Sequence, residues 1–360
     1  MDDKLVFLIK PTGEPDNTKA NKMKVLLTGA NGFLAANMIR ELNKRSVPVR
    51  GMVRKSAELR SIEGTDLEIV YGSFLQAGEI DQAVRGCDVV IHSAANTGPT
   101  PTALRHYLGT NVEGTRNVVN ACLGNGVQRL IFVSTVNTIG FGSAENPGRE
   151  DWPLDGAPFS RSGYAVSKLM AEDLVREAIR DKGLDAVIVN PSFMIGPYDA
   201  KPSSNRIIRI YYQGHVSLVP PGGKNFVDVR DVAVAVCNAI NMGRTGERYI
   251  LAHENLTLHA FFDKLEAVTG VKQKRIRIPA GLVRTLGGLG GVTNAFGSGY
   301  ELDPVTSHIL CIRNFYTPEK AIRELGMPQT PIEEAIKASW EWMGIKAEGR
   351  GQRAQIRPKT

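Results

Sequence analysis

The sequence predicts an α/β fold, a doubly wound parallel sheet with a smaller C-terminal α/β lobe. Three observations carry that prediction. Short apolar runs with the character of buried parallel strands alternate with segments of helical period. The first of these runs passes through a glycine-rich turn straight into a helix. Further along, Tyr164 and Lys168 stand four residues apart in the helical stretch SGYAVSKLMAEDLV, on one face of it.

The elements follow in order. Residues 1–22 are expected to be a poorly ordered extension; their apolar run LVFLI is too short for a signal-peptide core or a membrane span. Val25, Leu26 and Leu27 suit a buried strand. Thr28-Gly29-Ala30-Asn31-Gly32 is the turn, and Phe33 onward has helical period through Met38, Ile39 and Leu42. Such a turn aims backbone N–H groups and a helix N-terminus at a pyrophosphate, the arrangement of a Rossmann unit. Gly29 permits the tight turn, and Gly32 permits close approach of the phosphates. Ala35 takes the place where a third glycine often packs. VPVRGMVRK (47–55), LEIVYG, DVVIH, Leu130–Val133 and AVIVN read as the next strands.

Past residue 197 the alternation weakens. Helices are expected at Arg206–Gln213, from Val229, and over LTLHAFFDKLEAVTG, where Gly270 caps the end. ERYIL reads as a strand. The glycine-rich segment PAGLVRTLGGLGGVTNAFGSG is expected to be a surface helix or a flap over a substrate, and two short helices close the chain.

Five motifs occur in order: TGANGFLA, HSAA at 92–95, VST at 133–135, YAVSK at 164–168 and NPSFMIGP at 190–197. Together they resemble the extended short-chain dehydrogenase/reductase family, also known as the NAD(P)-dependent epimerase/dehydratase superfamily. The resemblance spans about residues 23 to 345. It implies a cofactor-binding Rossmann domain over 23–197, a substrate lobe over 198–345 interleaved with the main sheet, and a basic tail over 346–360. Asn111, Thr135, Tyr164 and Lys168 are the implied catalytic residues. Gly29, Asn31, Gly32, Phe33, Leu34, Phe74, Ser93, Ala94, Ala95, Pro191, Phe193 and Met194 are the implied cofactor contacts, with Tyr164 and Lys168.

Arg54 decides the cofactor expected. In a Rossmann unit an acid after the second strand binds the ribose hydroxyls and selects NAD. Val53 and Arg54 occupy that place, and no acid does. A guanidinium suits a 2′-phosphate, through paired hydrogen bonds and stacking on adenine. NADP(H) is therefore expected, with NAD(H) as the alternative, and the stretch looks most like the dihydroflavonol-reductase branch.

The chemistry expected is hydride transfer to an aldehyde or ketone. A lysine cation one helical turn from a phenol is expected to lower the phenol pKa from its usual ~10. Tyr164 is then the acid/base, and a hydroxyl at Thr135 (Ser134 being the close alternative) polarises the carbonyl. Asn111 is read as a proton-relay or helix-shaping residue. A sugar-nucleotide epimerase or dehydratase and a hydroxysteroid-type dehydrogenase share these residues and remain open.

Composition narrows the class. The chain has 360 residues, 42% hydrophobic and 22% charged, with net charge +7. Four scattered cysteines argue for a reducing compartment, read as cytoplasmic, and against a disulfide framework. The histidines lack metal-ligand spacing, so no metal is expected. Part of the positive charge lies in the tail, which has no aromatic residue for base stacking, so no nucleic-acid partner is expected. No membrane insertion is expected. The resemblance implies either a homodimer that pairs the helix after Asn111 with the helix carrying Tyr164, or a monomer.

Overall fold

A computed structural model describes residues 23–98, 103–154, 156–201, 203–214, 216–289 and 303–344. The expected N-terminal extension, the basic tail and part of the glycine-rich segment lie outside the described residues. The chain runs β1 (Val25–Thr28), α1 (Phe33–Lys44), β2 (Val49–Val53), β3 (Glu68–Tyr71), α2 (Ala77–Val84) and β4 (Val89–His92). It continues through α3 (Arg105–Tyr107), a π-helical turn over Leu108–Glu113, α4 (Gly114–Gly124), β5 (Arg129–Val133), α5 (Gly163–Lys182) and β6 (Ala186–Pro191). Next come β7 (Phe193–Ile195), α6 (Arg206–Gln213), β8 (Val216–Val219), β9 (Gly223–Asp228), α7 (Val229–Met242), β10 (Arg248–Leu251), β11 (Glu254–Thr257) and α8 (Leu258–Thr269). The last elements are β12 (Lys274–Arg277), α9 (Ala280–Gly288), α10 (Pro304–Ile309), β13 (Arg313–Asn314), α11 (Glu319–Leu325) and α12 (Ile332–Trp342).

Seven strands form the main sheet in the order β10-β6-β5-β4-β1-β2-β3, with every neighbouring pair parallel. Both faces are covered, which is why the strands read as unbroken apolar runs. Alternation still sorts the side chains. On β5, Ile131 and Val133 join the core under α1 and α7, while Leu130 and Phe132 join the core under α4 and α5. Burial of these two layers is the main drive for the sheet.

Local signals set the helix ends that position the site. The Ser162 hydroxyl caps α5 by accepting from the Ala165 N–H, and Gly183 ends the helix in the left-handed region at φ 67°. Asp228 caps α7 in the same way, by accepting from the Arg230 N–H. The second lobe has its own sheet, in which β9 pairs with β7, β11 and β13. Its core stacks Phe226 on Phe261, with ring centroids 4.2 Å apart. β10 returns from beyond that sheet to extend the main one beside β6.

Candidate active site

Strand order reverses between β1 and β4, and ligands of such sheets sit beyond the carboxyl ends of the strands at that point. A cleft of about 690 Å³ opens there.

One wall is the glycine turn. Gly29 has φ 67°, and a Cβ on it would lie 3.0 Å from both the Cα and the methyl of Ala94. The small residues Ser93, Ala94 and Ala95 thus let the β4 loop pass against the turn. Gly32 donates to the Gly29 carbonyl at 2.8 Å and starts α1 with no side-chain cap. The first N–H groups of α1, at Phe33 and Leu34, therefore face the cleft without a capping side chain. Asn31 is tied to the loop behind β2, donating to the Glu58 carbonyl at 2.9 Å and accepting from the Ser61 hydroxyl through its own carbonyl. Arg54 stands exposed at the end of β2 on the cleft wall. Phe74 lies farther along that wall and packs edge-on to His92 at 5.3 Å. A positive-φ glycine pressed on a small-residue loop, with an open helix N-terminus beside it, fits a dinucleotide.

The other wall carries the polar chemistry. Thr135 follows β5, and its hydroxyl accepts from the Asn137 N–H. It lies close enough to the Tyr164 phenol to favour the phenolate. Ser134 Oγ is buried, meets no partner at bonding geometry and lies beside the Glu172 carboxylate. Lys168 is buried, donates to the Val133 carbonyl at 2.9 Å and sits 4.1 Å from the centroid of the Phe132 ring.

The expected effect of Lys168 on the phenol is not what the structure shows. Burial pushes the Tyr164 pKa up to about 12, with Thr135 opposing the rise and Tyr107 adding to it. Burial also pushes Lys168 down to about 7, with Glu172 opposing. Desolvation disfavours both charged forms and is the largest cause of both shifts. The phenol is accordingly held protonated, the form needed to give up a proton.

Two expected site residues stand apart from the cleft wall. Asn111 lies in the π-helical turn, buried behind the site. Its amide donates to the Asn96 carbonyl and the Ser167 hydroxyl, each at 3.0 Å, and its Oδ1 accepts from the Asn96 N–H at 2.7 Å. It braces the β4 loop against α5, while Thr110 reaches the cleft. Phe193, expected beside the nicotinamide, packs edge-on to Phe226 in the second-lobe core instead. Alternation around Phe193 explains this, since its neighbours Ser192 and Met194 line the cleft while it points the other way.

Some residues of the site were missed in the sequence reading. Asp199, Lys201 and Ser203 line the cleft from the second lobe. Burial pushes the Asp199 carboxyl up to about 6, against hydrogen bonds from Ser203 and Asn205. Tyr198, next to it, has φ 75° and carries the Arg40 guanidinium 3.5 Å above its ring. His92 ends β4 with Nδ1 2.8 Å from the Thr28 hydroxyl and Nε2 3.2 Å from the Thr115 hydroxyl. Burial, with Lys168 adding, pushes its pKa down to about 3. Glu172 is wholly buried on α5. Its signal was present, because Tyr164, Lys168 and Glu172 recur every four residues.

The sequence pattern of the NAD dependent epimerase/dehydratase family matches residues 25–252. A Synechocystis protein provisionally named dihydroflavonol 4-reductase is 30% identical over 324 residues, covering 88% of this chain and 93% of that protein. Cinnamoyl-CoA reductase 1 of Oryza sativa subsp. japonica is 32% identical over 238 residues, covering 61% of this chain and 68% of the relative. Among solved structures, that of gox2253 superposes with a TM-score of 0.76 at 28% identity, covering 90% of this chain and 98% of the other.

Proposed function

The chain belongs to the NAD dependent epimerase/dehydratase family, whose members bind NAD(P), and we propose on that premise that it is an NADP(H)-dependent reductase of an aldehyde or ketone. One observation supports this most: Thr135, Tyr164 and Lys168 share a single cleft with the glycine turn and Arg54. The reductase names of two relatives point the same way.

When bound, the nicotinamide cofactor supplies the hydride. Thr135 donates a hydrogen bond to the substrate carbonyl oxygen and stabilises the negative charge that develops there. Tyr164, kept protonated by burial, gives its phenolic proton to that oxygen. Lys168, fixed by the Val133 carbonyl, stabilises the phenolate left behind and holds the nicotinamide ribose. Pro191 and Met194 flank the nicotinamide, and Asn111 keeps the β4 loop and α5 in register. Arg54 takes the 2′-phosphate. The same reading includes a homodimer through α4 and α5 and a cytoplasmic setting, in keeping with four free cysteines.

The test is a panel of aldehydes and ketones followed by loss of NADPH absorbance. Turnover of an apolar carbonyl with NADPH supports the reading. Tightly bound NAD surviving purification, together with conversion of a sugar nucleotide, would replace it with an epimerase.

A further inference from the structure

We infer that Glu172 is a positioning residue of the reaction centre, holding the hydroxyl-bearing turn to α5 and supplying the countercharge of Lys168. The inference rests on the proposed roles of Thr135, Tyr164 and Lys168.

The carboxylate divides its work between two oxygens. Oε1 accepts from the Thr138 hydroxyl at 2.7 Å and from the Asn190 amide at 2.8 Å. The Asn190 amide also donates to the Thr135 carbonyl at 3.0 Å, and the Thr138 hydroxyl lies 2.8 Å from that carbonyl and shares its one hydrogen between it and Glu172. Glu172 is thus one bridging residue away from the backbone that presents Thr135. Oε2 accepts from Arg176 at 2.7 Å and from Arg248 at 2.6 and 2.9 Å.

A buried ion cluster is not needed for stability alone, since apolar packing often serves as well or better. Its placement is informative here. Glu172 follows Lys168 by one helical turn, and Lys168 follows Tyr164 by one. The Glu172 charge opposes the burial that depresses the Lys168 pKa. Besides Glu172, the titratable groups facing Lys168 are Tyr164 on α5 and His92 at the end of β4. Those facing Glu172 are Arg176 on α5 and Arg248 on β10. Removal of the carboxylate charge would leave Arg248 without its carboxylate partner behind the lysine, while Arg176 would keep Asp173 at 2.7 Å.

The experiment is an NMR titration of full-length protein labelled with 13Cε-lysine, with the Lys168 resonance identified by its loss in Lys168→Arg. Glu172→Gln keeps the side-chain shape and removes the charge. Its Lys168 midpoint should move to lower pH by about 1–2 units. Glu172→Asp, which keeps the charge, should stay near the parent. Arg248→Gln, which removes one guanidinium, should move the midpoint to higher pH and serves if Glu172→Gln does not fold. In the reductase assay the alkaline limb of kcat should move toward acid in Glu172→Gln, whereas a purely structural role would lower kcat at every pH. An unmoved Lys168 midpoint in Glu172→Gln, or in Arg248→Gln if the first fails to fold, overturns the inference. The resonance is read without substrate, so this outcome is independent of whether Tyr164→Phe abolishes turnover.

Discussion

Ala94 stands so close to Gly29 that any β-carbon on the glycine would sit 3.0 Å from both its Cα and its methyl. The contact joins the turn after β1 to the loop after β4, across the point where strand order reverses. Gly29 also has φ 67°, a region where a side chain adds strain. Gly29→Ala should lower stability by roughly 1–3 kcal/mol and weaken cofactor binding more than substrate binding. Thermal melts and a cofactor titration check this, and an unchanged melt with parent affinity would refute it.

Tyr164→Phe removes the proton donor and leaves the ring. Turnover should fall by about 10²–10⁴-fold, while cofactor affinity stays within a few-fold of the parent. Thr135→Ala should lower kcat by about 10²-fold, and Ser134→Ala by much less. Steady-state kinetics decide between the two hydroxyls, and the reverse order would move the oxyanion role to Ser134.

Arg54→Ala should weaken NADPH by roughly 10–100-fold, the scale of a lost charge-assisted pair. NADH should hardly change. Fluorescence titration of both cofactors gives the ratio, and equal affinities in parent and variant would remove the assignment of Arg54 to the 2′-phosphate.

His92 gives the fold a pH dependence of defined sign. Its folded pKa is pushed down to about 3 by burial, against an ordinary 6.5. Between those values the unfolded chain binds a proton that the folded one does not, so stability from this group rises with pH. The contribution is complete above 6.5 and is lost as pH falls toward 3, with a slope of up to about 1.4 kcal/mol per pH unit. Urea melts from pH 4 to 7 should show this slope, and His92→Gln should flatten it. An equal slope in both proteins would assign the acid lability to another group.

Local chemistry made much of the molecule readable from the chain alone. Apolar runs, a glycine turn and helical period located the strands of the main sheet and α1. They also gave the bounds of α6, the start of α7 and the Gly270 end of α8, because these depend on neighbours a few residues away. The motifs named Gly29, Gly32, Thr135, Tyr164 and Lys168, the end of the second strand named Arg54, and folding brings all six to one cleft. The second sheet was harder to read, since the three-way pairing of β9 joins segments far apart in sequence.

Tertiary packing decided the rest. Spacing put Lys168 beside Tyr164 but carried no measure of how dry that place is, and burial reversed the expected direction of the phenol shift. Packing also turned Phe193 into the second-lobe core, set Asn111 behind the cleft and brought Arg248 from β10 onto Glu172. Sequence determined which groups are present and on which helical face. Only the folded chain determined their solvent and their distant partners, because desolvation and long-range hydrogen bonds arise when remote segments close on one another.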